Sequence, residues 1–117
     1  MSSVRSLLVD GVNRGSCEIA RTFSTRRRGL LGRSVLDGSL LLEPCRNVHT
    51  IGMEFAIDVA YLKPTDAPDQ YLVIRTRMMP PRRLDRPVMR SRAVLESPAG
   101  AFKSWGLNVG SKVLVTG

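Results

Sequence analysis

Two short segments decide what this chain can fold into. Ile57 to Leu62 reads as a strand that buries one face and more, with Asp58 the one charge among Ile57, Val59, Ala60, Tyr61 and Leu62. Tyr71 to Met78 reads as a second strand with apolar side chains on both faces. Tyr71 and Val73, with Thr76 and Met78, are available to one face, and Leu72 and Ile74 to the other. A strand that is apolar on both faces needs cover on both, which places it inside a sheet or in a barrel wall. Between the two lies Lys63 to Gln70, with Pro64, Asp66, Pro68 and Asp69, a polar loop joining them as a hairpin.

The rest of the chain has the same short grain. Val4 to Val9 ends at the turn pair Asp10-Gly11, Asn13-Arg14-Gly15 is a second turn or loop cue, and Ser16 to Arg21 alternates as a strand. Ser39 to Leu42 is a buried strand ended by Glu43-Pro44, because proline has no ladder donor. Ala93 to Glu96 and Val113 to Val115 supply two more. Met79 to Pro87, with Pro80, Pro81 and Pro87, is held extended and irregular.

Two helices are expected. Phe23 to Arg33 has Ser24 or Thr25 as N-cap and Gly32 as its stop. The second has Ser97 as N-cap, Pro98 in the first helical position and Ala99 to Trp105 as its body. Gly106 then closes it in a left-handed turn, with Leu107 behind. These elements predict one domain over residues 1–117, mostly β within the α+β class. Seven or eight short strands would form a small β-barrel or a rolled antiparallel or mixed sheet, with two short helices covering an open end.

A chain of 117 residues buries roughly two-thirds of its unfolded surface, enough for a core without covalent staples. Cys17 and Cys45 are accordingly read as thiols and not as a disulfide framework. No run approaches the ~20 apolar residues of a membrane span, and Leu7-Leu8-Val9 is too short for a signal peptide's apolar core. The expectation is a cytoplasmic protein without membrane contact. The net charge of +8 and the seven arginines from Arg75 to Arg92 invite a nucleic-acid reading. Fifteen of the 18 basic residues are arginine, however, a skew that a GC-rich genome produces by itself.

His49, the one histidine, is the first candidate for chemistry, as acid, base, ligand or neutral hydrogen-bonding group. Cys45 lies four residues before it, about 13 Å away along an extended strand, too far for a thiolate–imidazole pair unless Pro44 or Asn47 bends the chain. No cysteine or histidine spacing matches a metal site, and Gly29-x-x-Gly32 lacks the lysine of a phosphate loop, so no metal or cofactor is expected. Asp58 must be hydrogen-bonded or paired if buried. Its structural role would be to cap the irregular Gly52–Phe55 backbone or to pair with Arg28 or Arg33; its functional role would be that of a general base. Glu96, in a short strand, carries the same ambiguity.

The segment Val48-His49-Thr50-Ile51-Gly52-Met53-Glu54-Phe55-Ala56-Ile57-Asp58-Val59 resembles the signature of a prokaryotic family, domain-of-unknown-function family 192. The likeness extends through Arg26 to Arg33, Val94-Leu95-Glu96 with Ala99-Gly100, and Gly106-Leu107 with Val109-Gly110. Ala56 stands where the family usually has proline, and Ser111 where it usually has aspartate. The chain end also resembles the turn of cradle-like small β-barrels, with Ser111 still able to bond the turn's backbone amides. The resemblance implies no substrate and no cofactor.

The functional expectation is a non-catalytic binding domain. It would hold a small or extended anionic ligand in a cleft near His49, Thr50 and Asp58, with Arg28 or Arg33 in reach and Glu96 as a further binding residue. One alternative is a hydrolase-like enzyme with His49 as general base beside Asp58. Another is nucleic-acid binding through Arg75 to Arg92. A protein partner stays open.

Overall fold

The computed structural model describes residues 3–22 and 36–117. The first expected helix, Phe23 to Arg33, lies outside them, and with it Arg28 and Arg33. Seven strands form a closed barrel: β1 (Ser3–Val9), β2 (Val12–Ala20), β3 (Ser39–Leu42), β4 (Ile57–Pro64), β5 (Gln70–Met79), β6 (Ala93–Pro98) and β7 (Lys112–Thr116). Their order around the wall is β1-β2-β3-β6-β4-β5-β7, and β7 returns to β1, so among the described residues no strand of the wall is left as an edge. β2 and β3 run parallel; the other pairs are antiparallel. The sheet is therefore mixed, rolled and closed, and one short α-helix, α1 (Ala101–Trp105), stands among the described residues.

Strand alternation sorts the apolar side chains into two cores. The lumen holds Leu7, Val9, Cys17, Ile19, Leu41, Ala60, Leu62, Tyr71, Val73, Leu95, Val113 and Val115. The second core lies outside the wall, where Leu40, Leu42, Ile57, Val59, Tyr61, Met79 and Val94 meet Val48 and Met53. This answers why β4 is apolar on both faces. Ala60 and Leu62 fill the lumen, while Ile57, Val59 and Tyr61 carry an outer layer of loop.

Two bulges change what the pattern implies. Ser6 pairs with Ser16 but Leu8 with Asn13, so the expected turn at Asn13-Arg14-Gly15 is instead an irregularity inside β2. Gly15 has φ 105°, and its N–H donates to the Asn13 side chain at 2.8 Å. The real turn is Asp10-Gly11, both at positive φ, which suits the twist of a two-residue hairpin. In β5 the register shifts between Val73, opposite Leu62, and Arg75, opposite Tyr61. One extra residue reverses the faces. Without it, Arg75 and Arg77 would follow Tyr71 and Val73 into the lumen; with it, they stand on the outer face.

The helix closes one end of the barrel, since Phe102 and Leu107 belong to the lumen core and Trp105 packs against it. The expected start is corrected: the N-cap is Gly100, not Ser97. Ser97 is still in β6, where its hydroxyl shares a buried 2.8 Å hydrogen bond with Ser39. The helix ends as the sequence predicts. Gly106 is left-handed at φ 68°, its N–H donates to the Lys103 carbonyl, and the Leu107 N–H donates to the Phe102 carbonyl at 2.9 Å. Ser111 does accept a turn amide, from Asn108 at 3.0 Å.

Candidate functional site

Asp58 lies on the lumen parity of β4, at the plugged end of the barrel. Its Oδ2 accepts the Gly100 and Phe102 N–H groups, both at 3.0 Å. Gly100 is left-handed at φ 89°, ψ −11°, and the residue after it is helical. That alternation aims two amides at one point and makes a concave anion nest, which a side chain with a Cβ would adopt only under strain. The carboxylate of Asp58 is the anion in the nest. The structural expectation for Asp58 is thus corrected in its target. The backbone it holds is Gly100–Phe102, not Gly52–Phe55.

Beside it opens a shallow cleft of about 350 Å³, lined by Asp58, Thr76, Arg77, Met78, Gly100, Phe102 and Lys103. Phe102 and Met78 give it an apolar side. Arg77 and Lys103 put two exposed cations at it. His49, Thr50 and Glu96 are not among the lining residues.

His49 and Thr50 belong to a short ribbon laid over the outer core. His49 is exposed and forms an isolated antiparallel bridge with Leu84. The Thr50 N–H donates to the Arg83 carbonyl at 2.8 Å, the Arg82 N–H to the Thr50 carbonyl at 2.9 Å, and the Asp85 N–H to the Val48 carbonyl at 3.1 Å. Thr50 is fully buried. Its hydroxyl donates to the Pro80 carbonyl at 2.6 Å and accepts the Arg83 N–H at 2.8 Å. Thr50 therefore fastens two loops together. Cys45 donates its thiol to the Asn47 carbonyl at 3.2 Å. Glu96 is buried in β6, in register with Leu40 on one side and Val59 on the other.

The sequence reading missed the polar hub under the ribbon. The Asp85 side chain is fully buried, and its Oδ2 accepts the Tyr61 hydroxyl at 2.6 Å. Its Oδ1 accepts Arg77 at 3.1 Å, Arg75 at 3.3 Å and the Arg86 N–H at 2.8 Å. Burial alone would raise the Asp85 pKa. The hydrogen bonds from Tyr61 and Arg86 and the charges of Arg75 and Arg77 outweigh it, and the pKa falls below its ordinary 3.8. Burial, then the bond to Asp85, pushes the Tyr61 hydroxyl pKa up. Arg75 also stands over the Tyr61 ring, 5.9 Å from its centroid. One signal was available: Asp85 is the single acidic residue from Met79 to Arg92.

A second cleft, about 410 Å³, lies at the β4–β5 loop and includes Arg21, Glu43, Asp69 and Tyr71. There Glu43 accepts the Tyr71 hydroxyl at 2.6 Å and Arg21 at 3.1 Å. Cys17 is buried in the lumen, and burial pushes its thiol up to about 12. Among the described residues no group of three or more His, Cys, Asp or Glu side chains could hold a metal ion. No helix there is long and apolar enough to cross a membrane.

The family model DUF192, described as "Uncharacterized ACR", matches residues 6–115, nearly the whole chain. The chain belongs to the DUF192 family. Two crystal structures share its fold. One, from Sinorhizobium meliloti 1021 and described as a "putative transcription regulator", has a TM-score of 0.77 at 17% identity and covers 97% of this chain and 95% of its own. The other, a protein of unknown function from Novosphingobium aromaticivorans DSM 12444, has a TM-score of 0.67 at 18% identity, covering 94% and 81%. At these identities the likeness is one of fold. No curated protein matches the sequence. For this DUF192 chain, function has to be argued from its own side chains.

Proposed function

We propose that this DUF192 protein is a non-catalytic binding domain for a small anionic ligand, held at the Asp58 cleft by Arg77 and Lys103. The observation that carries the reading is the nest. Asp58 already accepts two backbone amides on one oxygen, which suits a structural anion better than a general base. Lys103, and the part of the Arg77 guanidinium that Asp85 does not engage, are then left to a ligand, with Met78 and Phe102 offering its carbon skeleton an apolar side. An enzyme with His49 as base beside Asp58 would need the two at one cleft, and His49 is not in the lining.

Titration of the full chain with inorganic phosphate, pyrophosphate and small dicarboxylates, followed by amide chemical shifts, tests this. Saturable shifts at Arg77, Gly100 and Lys103 are expected, weakened about tenfold in Lys103→Gln, as loss of one charge-assisted hydrogen bond implies. No shift at millimolar ligand would sink the reading.

A second reading, nucleic-acid binding, draws on Arg82, Arg83, Arg86, Arg90 and Arg92, all exposed. The description of the Sinorhizobium neighbour points the same way. Arg75 and Arg77 are partly spent on Asp85. The reading requires affinity for a DNA duplex that falls steeply with salt and drops in Arg82→Ala or Arg83→Ala.

A further inference from the structure

The ribbon over the outer core carries a surface that neither cleft accounts for. His49 and Leu84 are bridge partners, so their side chains leave the same side of the ribbon, and Leu84 is 67% exposed. At one end of the ribbon, the Arg82 N–H bonds the Thr50 carbonyl, and the next residue, Ile51, is 51% exposed. At the other end, the Val88 N–H bonds the Arg46 carbonyl at 2.7 Å, and the next residue, Met89, is 71% exposed. Three large apolar side chains thus mark the two ends and the middle of one ribbon. Arg46, Arg82, Arg83, Arg86 and Arg90 are exposed around them, and none is in an ion pair with a described carboxylate. Glu54 is exposed in the adjoining loop; Asp85 is buried beneath, held by Arg75 and Arg77.

From this juxtaposition we propose that the ribbon docks the protein onto an anionic phospholipid bilayer, with Ile51, Leu84 and Met89 entering the interface and the arginines binding headgroup phosphates. Apolar side chains spread along a ribbon and rimmed by cations suit a flat, laterally extended partner. A nucleic acid would use the arginines and leave Leu84 and Met89 without an apolar partner. Surface docking needs no membrane-spanning segment, and it departs from the sequence-based expectation of no membrane contact. It stands independently of the Asp58 cleft.

The test uses the full chain and sedimented vesicles of phosphatidylcholine alone or with about one-third phosphatidylglycerol. Binding is expected only with the anionic lipid, stronger at low salt. It should weaken at least about tenfold in the double variant Leu84→Ser/Met89→Ser, as loss of buried apolar area implies. The triple variant Arg82→Gln/Arg83→Gln/Arg86→Gln should lose it as well. All five side chains are exposed, and an unchanged melting temperature for each variant confirms that the fold is kept. Three results would overturn the proposal: no binding to anionic vesicles, full binding by the Leu84→Ser/Met89→Ser variant, or tighter binding to a DNA duplex that this variant leaves unaltered.

Discussion

The two sides of β4 are closed by different physics. On the lumen side, Ala60 and Leu62 meet a filling of Leu, Val and Ile, and the barrel end is stopped by a five-residue helix. One carboxylate, Asp58, fixes that stopper. On the outer side, Ile57, Val59 and Tyr61 are covered by chain without continuous ladders, so the cover is held by point attachments: Thr50 to Pro80 and Arg83, and Asp85 to Tyr61, Arg75, Arg77 and Arg86. A closed wall protects its interior through pairing all round. A loop layer has to be fastened residue by residue, and buried polar groups do it because leaving one unmet is costly.

That contrast can be broken from either side. The largest effect should come from the lumen. Leu95→Ala leaves a cavity at a fully buried site and should cost about 2–5 kcal/mol, unfolding wall and layer together in one melting transition. Asp85→Ala should come next, at about 3 kcal/mol, the low end for breaking a buried charge cluster because Arg75 and Arg77 keep contact with water. Its signature should be local. Hydrogen exchange should speed up at the amides of Thr50, Arg82, Asp85 and Val88, while the β4–β6 ladder stays protected. Equal loss of protection in that ladder would show that the two sides are one cooperative unit.

Asp58→Ala should cost about 2 kcal/mol through its two charge-assisted amide bonds, with faster exchange at Gly100 and Phe102. Thr50→Val keeps the shape and removes both bonds of the hydroxyl, for about 1–2 kcal/mol.

Acid should loosen the layer. Because the folded Asp85 pKa lies below its ordinary 3.8, its contribution is complete above that value and is lost as pH falls through the lower, folded one. Melting temperatures of the wild type and Asp85→Asn should therefore converge below about pH 4 and differ most near neutrality. The smallest effect is chemical. A thiol reagent should modify half-buried Cys45 in the native protein. Cys17, fully buried with its pKa raised to about 12, should react only on unfolding.

Much of this was legible in the sequence because it depends on local period and punctuation. The apolar character of Ile57–Leu62 and Tyr71–Met78 announced a barrel wall, and only the first of the two is covered on both sides. Gly106-Leu107 announced its cap, and the prolines from Pro80 to Pro87 announced irregular chain. What stayed hidden depends on contacts distant in sequence. Nothing near Asp58 indicates that its amides come from Gly100 and Phe102, more than 40 residues on. Nothing in Arg75 or Arg77 indicates that a bulge turns them toward Asp85. The turn misread at Asn13-Arg14-Gly15 shows the same limit, since a glycine cue cannot separate a reversal from a bulge until the partner strand is known.

The seam between β1 and β7 has a consequence in time. Leu8 pairs with Leu114 and Val9 with Val113, and the Asp10 side chain accepts the Lys112 amide across 102 residues of chain. β1 therefore waits for β7 to be made before its second neighbour exists. Until then β1 is held on one side only, by its hairpin with β2. Such long-range closure slows folding, and a nascent chain cut before Lys112 should remain open and sensitive to protease.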